Sequence, residues 1–270
     1  MSEARNKVES TGHKHPYHIV DPSPWPLATS ASAVVAAIGA ATFFHGSSWL
    51  MMGLGLAGVL LCIYLWFRDI VREATHEQAH SPLVKIGMRY GMLLFIMSEV
   101  MFFAAFFWAY FDASLFPDEA IGGIWPPEGI KMPAAFDLPF MMTMILLLSG
   151  CSATWAHHAL LEGHNKDVER GLLVTVLLGV IFTGFQMYEY SHLAFGFQDT
   201  IFASTFYMAT GFHGFHVLVG TIFLFVCYLR ARKGHFKPDD HFGFEAAAWY
   251  WHFVDVVWLF LFVAIYWFGS

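Results

Sequence analysis

Seven long apolar runs, separated by short polar breaks, set the plan of this chain. They cover roughly residues 25–44, 49–67, 84–111, 138–161, 171–190, 200–229 and 245–268. Each is about twenty residues or more, enough for one α-helix to cross a hydrocarbon core of ~30 Å. The first two are joined only by His45-Gly46-Ser47-Ser48, a tight turn, so they pair as a hairpin. A polar loop, 68–83, separates that hairpin from the rest. The pattern predicts an all-α polytopic membrane protein: a polar tail (1–24), a transmembrane hairpin (25–67), the 68–83 loop and a five-helix bundle (84–270).

Composition agrees. Of 270 residues, 57% are hydrophobic, 18% aromatic and 13% charged, about half the charge of a soluble domain. The formal net charge of −7 and the lack of a basic patch outside short loops argue against nucleic-acid binding. Cys62, Cys151 and Cys227 all fall inside spans without paired spacing, as small buried hydrophobes do. The tail lacks the apolar core of a signal peptide and the Arg-rich, acid-poor make-up of a transit peptide. With seven spans, every Lys and Arg except Lys131 falls on one side of the membrane. The positive-inside rule then puts the N-terminus in the cytoplasm and the C-terminus outside.

Glu99 changes the picture most. It lies at the centre of the stretch Arg89–Tyr110 within the third run, about 15 Å from either end of that stretch at ~1.5 Å per residue. A carboxylate at that depth costs at least ~2.5–3.5 kcal/mol unless protonated, hydrated or paired. His213 and His216 lie near the middle of the sixth run at i,i+3 spacing, and His252 and Asp255 repeat that spacing in the seventh. Groups at matching depth on three spans can pair and lower one another's desolvation cost. Three readings follow: a metal or haem site, a proton relay through Glu99, histidine and Asp255, and purely structural pairing.

The cytoplasmic rim holds His76, His80, His157, His158 and His164, which titrate near neutral pH and could collect protons for a partner. A second set (Trp66, Arg68, Arg72, Glu73 and His80 near the hairpin, Arg230, Lys233 and His235 near span six) sits where basic pockets between transmembrane helices bind anionic lipid headgroups.

Several stretches together carry a resemblance. They are Arg89-Tyr-Gly-Met92, Ser98-Glu-Val-Met-Phe-Phe103, Phe107-Trp-Ala109, Thr154-Trp-Ala-His-His158, Ala209-Thr-Gly-Phe-His-Gly-Phe-His216 and Trp249-Tyr-Trp-His-Phe-Val-Asp-Val-Val-Trp258, with Trp66-Phe-Arg-Asp69 and Trp125-Pro-Pro127. From about residue 15 onward the chain resembles subunit III of the haem–copper cytochrome c oxidases, of the aa3 type. The resemblance implies a subunit without haem or copper of its own, haem a and copper residing in partner subunits. It implies two helices splayed from the other five by a lipid-filled cleft, and direct contact with catalytic subunit I in a complex that also holds subunit II. It further implies aerobic electron transport with proton translocation, in which such a subunit supports proton uptake and protects subunit I from inactivation during turnover.

By position, the lipid contacts implied are Trp66, Arg72, Glu73, His80, Arg89, Glu99, Arg230 and His235. Glu99 matches the family's carbodiimide-reactive carboxyl. The acidic 112–137 loop and the tail depart from the family pattern. Alternatives are subunit III of a quinol oxidase, which more often has five helices, and a stand-alone transporter, which would show inverted repeats. The Ala-rich first span and long tail point to a bacterial plasma membrane, with the mitochondrial inner membrane as the alternative.

Overall fold

The computed structural model describes residues 22–77, 80–118 and 122–269. Its helices are α1 (Trp25–Phe44), α2 (Leu50–Arg72, continued by a π-helical turn, Glu73–Glu77), α3 (Pro82–Leu115), α4 (Leu138–Leu161), α5 (Asn165–His192), α6 (Ile201–Arg232) and α7 (Phe242–Leu261, continued as a π-helix over Phe262–Trp267). Among the described residues seven helices are long and apolar enough to cross a membrane, and no named strand occurs. The chain divides into two compact units, one ending at Met88 and the other starting at Arg89.

In the first unit, α1 and α2 form the expected hairpin. The turn is closed by Ser47 N–H on Thr42 O at 3.0 Å. Gly46 there has φ +90°, a left-handed conformation in which a side chain is strained. Small residues bring the two backbones together. The space a Cβ would need at Gly39 is filled by the Met51–Met52 backbone, and at Gly55 by Ala36, the close approach that small residues permit between transmembrane helices. Trp25 Nε1 donates to Asp69 Oδ2 at 2.6 Å and ties the open ends of the hairpin together.

In the second unit, α7 is the central element. Two-thirds of its apolar window is buried (67%), against 39% for α4, α5 and α6. Its large rings fix that position through polar edges turned onto α4. Trp251 Nε1 donates to Ser149 Oγ and Trp258 Nε1 to Thr143 Oγ1, each at 2.9 Å. The hydroxyls in turn donate to backbone carbonyls one turn back, Ser149 to Leu146 O and Thr143 to Pro139 O. These four buried indole and hydroxyl groups thus find partners, as an apolar interior favours.

Helix α3 is held differently. Its backbone hardly comes within 8 Å, Cα to Cα, of α4–α7. Aromatic rings fill the interval: Phe102 and Phe106 meet Phe212 of α6 at 5.0 and 4.9 Å, and Phe107 meets Phe260 of α7 at 4.5 Å. At its far end Tyr110 meets Trp125, which packs on Phe202, so the 112–137 connection is pinned by the Trp125-Pro-Pro127 stretch.

Helix ends run beyond the apolar runs. The interval 165–170 is the first turn and a half of α5, and Pro82 and Leu115 bound α3. Lys166, Glu169 and Arg170 are polar but good helix formers, and Asp167 sits in the first turn, where an acid is favoured, with Arg170 donating to it at 3.2 Å on one face.

Candidate functional site

Glu99 and His216 meet. Nearly five turns into α3, Glu99 is turned toward α6, and His216 Nε2 lies 2.9 Å from Glu99 Oε2. The other ring nitrogen, Nδ1, lies 2.6 Å from the carbonyl of Phe212. A carbonyl only accepts, so Nδ1 carries a hydrogen and donates. One further proton then lies between Nε2 and Oε2. On the carboxyl it gives a neutral acid donating to a neutral imidazole; on the imidazole it gives a cation donating to a carboxylate. Either way the pair carries no net charge, which is what makes it tolerable at this depth.

The surroundings are aromatic. His216 is nearly buried, with its side chain 7% exposed, while Glu99 keeps 21%. Phe103 meets the imidazole edge-on at 4.9 Å, and Tyr250 stacks at 6.2 Å. The site is a proton-sharing pair with one open edge on the Glu99 side.

The other predicted intramembrane groups do not join it. His213, on the same helix one turn earlier, is fully buried. Its Nε2 donates to Val254 O of α7 at 3.2 Å, and the ring packs against both Phe182 and Trp258, which also touch each other. His252 and Asp255 form a separate local pair at 3.4 Å. Beyond it, His252 Nε2 lies 3.1 Å from Thr154 Oγ1 of α4. The Asp255 carboxylate fills the space that a Cβ at Gly150 would take. The groups weighed for a relay through Glu99, histidine and Asp255 lie in two clusters, Asp255 facing α4 and Glu99 facing α6. Among the described residues no three His, Cys, Asp or Glu side chains come together as a metal-holding group.

The residues carried over as lipid contacts separate into two groups. Trp66, Arg72, Glu73 and His80 belong to the first unit, with Arg72 exposed and the flanking Glu73 and His80 half-buried. Arg89, Glu99, Arg230 and His235 belong to the second. Arg89 is engaged within the protein: its Nε and Nη2 both reach Glu245 Oε2 of α7 at 2.9 Å. Arg230 folds back over Phe236, its guanidinium carbon 4.6 Å from the ring centre. Of the rim histidines, His157 packs against His241 and Phe244, His164 lies 3.3 Å from Glu162, and the His76 side chain falls outside the described residues.

Sequence reasoning missed three polar ties: Arg89–Glu245, Trp25–Asp69, and a buried cluster of Gln186, Glu189 and Tyr266. Gln186 and Glu189 lie one turn apart at the end of an apolar span, a spacing that could have flagged them. A cavity of about 380 Å³ lined by Lys166, Glu169, Arg170, Leu173 and Tyr228 lies at the start of α5, away from the Glu99 pair.

Comparison with known proteins places this geometry. Residues 15–270 match the family described as cytochrome c oxidase subunit III. The cytochrome c oxidase subunit 3 of Marchantia polymorpha is 54% identical over 265 residues, covering 97% of this chain and 99% of that protein. The subunit of the same name from Rattus norvegicus is 53% identical over 260 residues, covering 96% and 100%, and that from Arabidopsis thaliana 53% over 259 residues, covering 95% and 98%. With seven spanning helices, the signature stretches in place and near full-length identity above one half, the chain belongs to the cytochrome c oxidase subunit III family.

Proposed function

We propose that this chain is the non-redox helper subunit of a cytochrome c oxidase: it binds phospholipid, steadies the catalytic subunit I beside it and supports proton uptake there, while haem a and copper reside in partner subunits. The observation that carries this reading is the Glu99–His216 pair. It offers an acid–base group inside the membrane with one edge open, which suits a group that meets lipid or water. Arg72, with Glu73, and Arg230, with His235, supply charge near helix ends that suits lipid phosphates. Arg89, gripped by Glu245, acts as a fastener of α3 to α7 and contributes to lipid binding through that placement. The Lys and Arg distribution supports an N-terminus in the cytoplasm and a C-terminus outside; the Ala-rich first span and long tail support a bacterial plasma membrane, with the mitochondrial inner membrane as the alternative.

The test is to purify the oxidase assembly through a tag on this chain. Subunits I and II and a haem a spectrum should come with it, and bound phospholipid should be retained. Arg72→Ala together with Arg230→Ala should lower retained lipid in mass spectrometry. Isolation of the chain alone, or unchanged lipid in the double variant, would count against the respective half of the reading.

A further inference from the structure

The last two turns of α5 hold a second buried acid, unrelated to the Glu99 pair. Glu189 is 3% exposed and Gln186 4%. Glu189 Oε2 accepts from Tyr266 Oη at 2.8 Å and from Gln186 Nε2 at 3.2 Å. The remaining oxygen of each side chain, Glu189 Oε1 and Gln186 Oε1, is buried without a partner. Among the described residues no Lys, Arg or His nitrogen lies within 4.0 Å of this carboxyl group.

The ionisable groups around it are phenols or other acids. On α5 itself Tyr190 bonds Thr210 of α6 at 2.7 Å. From α6, Tyr207 donates to Phe195 O at 2.9 Å. From the π-helical end of α7 comes Tyr266, fully buried. Asp199, before α6, is occupied with the Gly196 N–H. None of these supplies positive charge.

An ionised Glu189 would leave one carboxylate oxygen and one amide oxygen unsatisfied, with no counter-charge, in a dry interior where each such omission is costly. A single proton on Glu189 Oε1 removes both faults. The acid O–H donates to Gln186 Oε1 while Gln186 Nε2 donates to Glu189 Oε2, a closed acid–amide ring using both ends of both groups. Tyr266 then bonds the same Oε2 from the facing helix.

We propose that Glu189 and Gln186 form a buried proton-binding site, held as a neutral acid–amide pair that fastens the end of α5 to the π-helical end of α7 through Tyr266. The bound proton is a structural part of the protein, distinct from the proton shared by Glu99 and His216. This inference does not depend on the proposed helper function.

Infrared difference spectra of the purified oxidase assembly, wild type against Glu189→Gln, test it. Wild type should show a carboxylic-acid C=O band that the variant lacks, and the band should persist across the pH range in which the assembly is stable. Glutamine supplies the same donor and acceptor pattern without a titratable proton, so Glu189→Gln should assemble within about twofold of wild type. Glu189→Leu strands the Tyr266 hydroxyl and the Gln186 amide, and assembled yield should fall about tenfold. Loss of a carboxylate band in place of an acid band in the variant would overturn the proposal. So would a Glu189→Gln variant that fails to assemble as badly as Glu189→Leu.

Discussion

The α1–α2 hairpin and helix α3 are both apolar and both largely exposed, yet they are held by opposite means. The hairpin closes through absence of side chain: Gly39 and Gly55 let backbones touch, and Gly58 leaves room for the Ser32 hydroxyl. Helix α3 keeps its backbone away from α6 and α7 and spans the interval with Phe102, Phe103, Phe106 and Phe107. The first arrangement leaves no room for chemistry between its helices. The second leaves a gap wide enough for Glu99 to reach His216 and still keep an open edge. In this chain, close backbone packing seals the seam between two helices, and ring-spaced packing leaves room for a polar pair.

The comparison can be broken first at Phe103, which is 2% exposed and touches His216, Phe107 and Phe253. Phe103→Ala should cost about 3–5 kcal/mol of stability, read by thermal denaturation, and should loosen α3 while sparing the hairpin. A loss below about 1 kcal/mol would show that the rings are not what holds α3.

Gly55→Leu attacks the other side. It should destabilise the hairpin by about 1–3 kcal/mol from overpacking, read by thermal denaturation. A variant as stable as the parent would mean the backbones do not meet at Gly55.

Glu99→Gln is gentler. The amide can donate to His216 Nε2, so the cost should stay below about 1 kcal/mol, near one ordinary hydrogen bond, while carbodiimide labelling disappears and electron transfer persists. Labelling that survives would remove Glu99 from the account. Arg89→Gln should have the smallest effect, about 1 kcal/mol or less, since half-exposed ion pairs contribute little. It should appear as faster proteolysis near the start of α3, and unchanged cleavage would show that the Glu245 fork fastens nothing.

Much of the fold was legible because membrane helices announce themselves by length and hydropathy. What hydropathy could not mark was where a helix continues through charged residues, as at 165–170 of α5, where Lys166 and Arg170 belong to the helix but not to the apolar run. At the site, depth matching grouped Glu99 with His213, His216, His252 and Asp255, and of these Glu99 and His216 meet. Depth alone did not give azimuth. His213, one turn from His216, reaches a backbone carbonyl of α7, and Asp255 faces α4. Glu189 escaped notice because it lies in the final turn of α5, where an acid reads as a rim residue; only the arrival of Tyr266 across the bundle shows it to be interior.

Catalytic lifetime tests the helper role most directly. Oxidase prepared with and without this chain should begin turnover at comparable rates, and the preparation lacking it should lose activity after far fewer turnovers, with restored lifetime when the chain is added back with phospholipid. Equal lifetimes with and without the chain would contradict the account.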